Sequence, residues 1–236
     1  MNVERKIFCF WTGENEMSTN RRACLNSIVA KSNCEVELVT SDNLGRFVLN
    51  HHPLHEAYEF LSYTHRSDYL RCYFMHHYGG GYADIKHIGC NWNPYFDRLE
   101  SDEYLWGMGY REKSPAGVAG RPDAIVELRR NWKLLIGVNM YIFKRRTPFT
   151  SEWYYQMLKI LDENLEALKR YPARHPQDRY RMKSENRWYR MLHIGRSRYP
   201  LAWAAILGQV FHPLCLKYTD RLSKVMPSPN FEVPWR

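Results

Sequence analysis

Two carboxylates, an arginine and a lysine lie within nineteen residues of one another, divided by a run of glycine. Ser67-Asp68-Tyr69-Leu70-Arg71 is followed, seven residues on, by Gly79-Gly80-Gly81-Tyr82-Ala83-Asp84-Ile85-Lys86. Asp68 and Arg71 are three apart, so on a helix they share a face. The glycines permit a tight turn and close backbone approach to a ligand. Beyond them a strand-like segment carries Asp84. Carboxylates accept bonds from hydroxyls, and a guanidinium donates several in a fixed fork. Together they suit a polar ligand bearing hydroxyl and phosphate groups. The plainer reading of Asp68 and Arg71, an intrahelical ion pair, is worth only about 0.2–0.5 kcal/mol.

These residues need elements to position them. Lys6 to Trp11 reads as a buried strand, and Thr12 to Asn15 as a turn. Ser18 caps a helix running to Ala30. Glu35 to Thr40 alternates and is β-branched, a second strand. Strand, helix, strand predicts a βαβ unit with a parallel sheet. Pro53 opens a helix carrying Ala57, Phe60 and Leu61. Ser67 is expected to cap the next helix, which Gly79 ends. Tyr82 to Ile88, Tyr104 to Met108 and Leu134 to Phe143 read as strands. Phe149 to Tyr171 reads as a long amphipathic helix stopped by Pro172 and Pro176, and Pro200 to Gln209 as a short one. The tail from Met226 holds three prolines and reads as extended. No repeat or linker interrupts the chain, so residues 1–236 are expected to form one α/β domain with a Rossmann-like, mostly parallel sheet flanked by helices.

The spaced motif resembles the DXD-type sugar transferases, which include the capsular-polysaccharide and alpha-1,4- and alpha-1,6-glycosyltransferases and the glucosylating bacterial toxins. Their pattern is S-D-x-x-R followed by G-G-x-Y-x-D-x-D. Ser67, Asp68, Arg71, Gly81, Tyr82 and Asp84 match it; Lys86 stands where the last acid belongs. The resemblance implies a GT-A fold and transfer of a sugar from a nucleotide-diphosphate donor, UDP-linked by analogy, to a glycan or lipid-linked acceptor hydroxyl. It also implies roles. Trp11, in a W-x-G turn with Thr12 and Gly13, would stack on the base; Asp68 and Arg71 would hold the sugar. Asp84 would address ribose or metal, with Gly81 and Tyr82 beside it in the donor site.

Lys86 bears on the mechanism. In a regular strand residues i and i+2 share a face, and two acids there would hold Mn²⁺ or Mg²⁺ against the leaving diphosphate. An ammonium repels such an ion and can contact diphosphate directly. Two readings follow: a donor site that uses Lys86 without a tightly held metal, or a metal held by Asp84, the donor phosphates and a histidine. His212 is the leading histidine, with His193 and His87 behind it. Gly137 lies in a strand pattern where a ligand or a β-bulge could approach, and Asn139 beside it is a candidate for the sugar. Asp178 is a candidate general base for an inverting reaction, in competition with Glu152 and Asp123.

The remaining features bound the partners. The net charge is +9, and ten Lys or Arg between Lys169 and Arg198 face only Asp178 and Glu185. Such a segment suits an anionic acceptor or a membrane surface. A basic nucleic-acid binder is the alternative, without a recognised motif of that class to support it. A relative that binds nucleotide sugars without transferring them is a further alternative. No apolar run is long enough to cross a membrane. The polar start of the chain lacks a secretory signal, so a cytoplasmic protein, able to sit peripherally at a membrane, is expected. The six cysteines form no C-x-x-C pair and read as free thiols.

Overall fold

A computed structural model describes residues 3–181, 183 and 196–235. Six strands form one sheet: β1 (Lys6–Trp11), β2 (Glu35–Thr40), β3 (Gly80–Ala83), β4 (Gly107–Arg111), β5 (Ile136–Phe143) and β6 (Leu222–Ser223), in the order β2-β1-β3-β5-β4-β6. β1 pairs in parallel with β2 and β3, and β4 with β6. β5 runs antiparallel to both of its neighbours. The sheet is thus mixed but mostly parallel, and the architecture is consistent with the GT-A arrangement.

Period-two alternation explains the layers. Phe8 and Phe10 of β1 point to one face, into a core with Tyr141, Phe143, Trp153 and Phe211. Ile7 and Cys9 point to the other, with Met108, Met140 and Ile142. Helices α2 (Tyr63–His77), α5 (Pro148–Arg170) and α6 (Gly208–Lys217) cover the first face. Helices α1 (Thr19–Ser32) and α3 (Asn93–Ser101) cover the second, while the short α4 (Ile125–Arg130) adds Leu128 to the first core. The aromatic side is the larger; burying each such ring contributes about 1.5–3 kcal/mol.

Local chemistry sets the element ends. The Ser18 hydroxyl accepts from Arg21 N, and Asn33 closes α1 in the left-handed region at φ 53°. Thr147 and Thr150 make a reciprocal cap at the start of α5, with Pro148 in its first turn. Gly79 and Gly80 turn α2 into β3 at φ 70° and 81°; a Cβ at Gly79 would lie 2.8 Å from Arg145 N.

Several expectations are corrected. The cap of α2 is Ser62, which accepts from His65 N at 3.3 Å, and Ser67 lies inside the helix. The segment after Pro53 forms only a 3-10 turn, Glu56–Phe60. β3 stops at Ala83, so Asp84 to Ile88 is not strand. The Asp102 carboxylate accepts from Tyr104 N at 3.0 Å and Leu105 N at 3.3 Å, which makes a turn there and moves β4 to Gly107–Arg111. Residues 200–207 hold turns and α6 begins only at Gly208; the carbonyls of Ala202 and Trp203 face the His65 ring rather than continuing a helix.

Candidate functional site

The carboxyl ends of β1, β3 and β4 and the amino end of β5 meet at one edge of the sheet, the place where ligands sit in open α/β folds. Because β5 is antiparallel, Met140 pairs with Ala83, and Asn139 comes beside Asp84. Asp84 N donates to Asn139 O at 2.7 Å. The Asp84 side chain is the centre of the edge. Its Oδ1 accepts from Arg71 at 2.9 Å and from the Tyr82 hydroxyl. Its Oδ2 accepts from Lys86 Nζ at 2.6 Å and from Asn139 Nδ2 at 2.7 Å. Burial alone would raise the Asp84 carboxyl, but Arg71 and Lys86 outweigh it and hold the group well below the usual carboxylate range.

Each partner is itself positioned. Arg71 lies over the Tyr82 ring at 4.7 Å and donates to Val138 O at 3.3 Å. Lys86 turns back on Asp84 because Lys86 N bonds Asp84 O at 2.6 Å, a tight turn that replaces the expected strand. Phe231 and Trp235 from the tail lie 5.6 and 5.4 Å from its ammonium. The Tyr110 hydroxyl donates to Asn139 Oδ1 at 2.8 Å. Gly137 makes room for that ring, since a Cβ there would lie 2.0 Å from it. The pairing shift between Gly109 and Arg111 marks the bulge that tips Tyr110 over the glycine. The close approach expected at Gly137 is therefore by a side chain of the protein.

Two cavities share this edge. The first, of about 300 Å³, is lined by Trp11, Thr12, Gly13, Tyr63, Ser67 and Tyr82. The second, of about 510 Å³, is lined by Asp68, Lys86, Asn139, Trp203, His212 and Trp235. Arg21, Thr64, Arg71, Asp84 and Gln177 belong to both. Trp11 is fixed by an indole bond to Asn15 O at 2.9 Å, leaving it half-buried at the first cavity. Asp68 is 4% exposed and 3.7 Å from Arg71; burial pushes its carboxyl up to about 7, against Arg71 and with Asp84.

The expected donor residues Trp11, Thr12, Gly13, Asp68, Arg71, Tyr82 and Asn139 all reach one cavity or the other, as do Asp84 and Lys86. Gly81 lines neither; a Cβ there would lie 2.9 Å from the Trp92 ring, so it is a packing glycine. Asp178 also lines neither cavity. Its carboxylate accepts from Arg174 N at 3.1 Å and Arg179 N at 2.9 Å, closing a turn. Glu152 is held by Lys217 and Tyr218 at the surface, and Asp123 pairs with Arg121. None of the three is placed as a base. Arg21, Tyr63, Thr64, Gln177, Trp203 and Trp235 escaped the sequence reading, because they reach the edge from segments without a spacing pattern.

The donor set does not fit a divalent cation. A carboxylate offers about four lone-pair directions, and Asp84 uses its two oxygens on four protein partners, two of them cationic. His212 does line the second cavity, but its Nδ1 meets the Ala119 backbone and its Nε2 lies 3.8 Å from Glu112. Burial lowers its ring to about 4, so it is neutral. Among the described residues no three His, Cys, Asp or Glu side chains group as a metal site. His193 lies outside the described residues, and His87 lines neither cavity.

The matching segment ends at this centre. Residues 1–86 match the family model of the capsular polysaccharide synthesis protein. The match takes in β1, β2, α2, β3 and the Asp84–Lys86 turn, and the family fits a glycosyltransferase-related role in polysaccharide synthesis. No curated protein and no solved structure matches. No helix among the described residues is long and apolar enough to cross a membrane. All six cysteines are free thiols, four of them buried. Of the basic segment, Arg187 and Arg190 lie outside the described residues. Lys169 pairs with Glu56, and Arg170, Arg179, Arg181 and Arg198 lie against aromatic rings.

Proposed function

We propose that the protein transfers a sugar from a nucleotide-diphosphate donor, UDP-linked, to a glycan or glycolipid hydroxyl, and does so without a tightly held metal. The observation that carries this reading is the Asp84 centre, where two cavities meet around fixed cations. The base stacks on Trp11 in the first cavity, with the Thr12-Gly13 backbone at its polar edge. The diphosphate lies at the junction. Arg71, Lys86 and Arg21 line that region against Asp68 and Asp84, and burial pushes the Asp68 carboxyl up, so it opposes them less. The balance is positive where the leaving group gains charge, which favours departure.

Asp84 then acts as a brace rather than a metal ligand. It holds Arg71 and Lys86 in fixed directions, so little reorganisation is needed as the bond breaks. Asp68 and Asn139 face the second cavity, where the transferred sugar and the acceptor hydroxyl meet.

The test is release of UDP from UDP-glucose, UDP-galactose and their N-acetyl and uronic forms by the purified protein. Release by wild type, lost in Asp84→Asn with the fold retained by circular dichroism, supports the reading. No release from any donor, together with no UDP binding, overturns it.

A further inference from the structure

Among the described residues, Trp203 is the one large apolar side chain that lines a cavity and is exposed, with 45% of its surface open. Its backbone is pinned from the core. The carbonyls of Ala202 and Trp203 lie 3.0 and 3.3 Å from His65 Nε2. His65 is fully buried, and its Nδ1 bonds the Tyr199 hydroxyl at 2.9 Å. The backbone that carries the indole is thus fixed, while the side chain stays open beside the cavity, where the apolar face of a ligand can cover it.

Arg179 lies over the same ring at 4.9 Å. No carboxylate pairs with its side chain among the described residues. Asp178 sets it there: its carboxylate bonds Arg174 N and Arg179 N, and Tyr180 N bonds Leu201 O at 2.6 Å, tying this turn to the segment bearing Trp203. Small residues, Ala116, Gly117, Ala119, Ala204 and Gly208, also line the second cavity and leave width for a ring.

We infer that an acidic sugar residue of the acceptor docks at the Trp203 rim of the second cavity, with its apolar C–H face on the indole and its carboxylate or phosphate on Arg179, which lies outside the cavity lining against the same ring. A pyranose has a face of C–H groups that can cover an indole, removing apolar surface from water. A guanidinium recognises either anion through a forked pair of donors. Asp178 is then a positioning residue for this subsite, not a base. The inference rests on the transferase reading and names its acceptor class.

Binding is measured by saturation-transfer NMR on the full chain, in the presence of UDP. The probes are a glucuronate-containing tetrasaccharide, a phosphorylated disaccharide and a neutral tetrasaccharide of equal length. UDP affinity is titrated alongside in every variant. The expected result is binding of one or both acidic probes, weakened about tenfold, or about 1.4 kcal/mol, in Trp203→Ala. Trp203→Phe should recover part of it. Arg179→Gln should weaken the acidic probes and leave the neutral one unchanged. The acid that binds tells a uronate from a phosphate. Acidic-probe binding unchanged in both Trp203→Ala and Arg179→Gln overturns the inference, as does no binding of either acidic probe by wild type that still binds UDP. Loss of UDP binding in wild type strikes the transferase reading instead.

Discussion

The two cavities around Asp84 are built in opposite ways. The first takes Trp11, Gly13, Tyr63 and Tyr82 from β1, the turn after it, α2 and β3, and apart from Pro176 and Gln177 its lining lies within the segment that matches the capsular polysaccharide family. The second takes Ala116 to Ala119, Val138, Trp203 to His212 and Trp235 from segments spread over the rest of the chain. Asp84 and Lys86 are at the seam, at the last matched residues. On the proposed reading, the donor half is written as one compact βαβ pattern. The proposed acceptor half is assembled from remote loops, and no local spacing records it.

Breaking the seam should have the largest effect. Arg71→Ala leaves the half-buried Asp84 with Lys86 as its one cation, and a polar group stripped of a partner costs about 1–3 kcal/mol, more when it is charged. UDP binding should vanish and the thermal midpoint fall; Arg71→Lys should restore part of the stability. A midpoint within a degree of wild type in Arg71→Ala would mean the cluster is not the frame of the edge.

Gly137→Ala tests how far support for the seam reaches. A methyl there collides with Tyr110, and overpacking costs about 1–3 kcal/mol. Asn139 should lose its orienting bond, so chemical denaturation and UDP affinity should both weaken. Unchanged affinity at reduced stability would separate the support from the site.

Asp68 sharpens the comparison through pH. Its carboxyl is raised by burial from 3.8 to about 7 in the folded state. Its stabilising contribution is therefore complete below about pH 4 and lost as pH rises through 7. Asp68→Asn removes that loss. Urea melts should show the variant gaining on wild type between pH 5 and 8, by on the order of 1–4 kcal/mol. Parallel pH profiles would place Asp68 in a wetter setting.

The smallest change is expected from Asp178→Asn. An amide oxygen still accepts one of the two backbone bonds, so stability should drop by about 0.5–1.5 kcal/mol while UDP affinity is kept. A loss of UDP affinity as large as that of Arg71→Ala would instead put Asp178 in the donor site.

Much of this was legible in the chain. β1 and β2 appear at the residues their apolar runs mark, and Asp68, Arg71 and Asp84 converge as their spacing implies. The errors have physical causes. Tyr82 to Ile88 carries strand-like residues, but Lys86 binds back to Asp84 and ends the ladder. In the sequence Asp178 reads as a candidate general base for an inverting reaction; its carboxylate accepts from two backbone amides and closes a turn, which no residue spacing marks. Trp203 and Trp235 carry no periodic signal; only the tertiary fold brings them beside Lys86 and Asn139.

In the proposed reaction fixed cations, Lys86 above all, stand at the diphosphate in place of a metal. Calorimetric titration of UDP into wild type and Lys86→Asp, each in chelator and in Mn²⁺, tests this. Wild type should bind UDP equally in both buffers, and Lys86→Asp should bind poorly in chelator. Wild-type binding that appears only with Mn²⁺ would contradict a metal-free site.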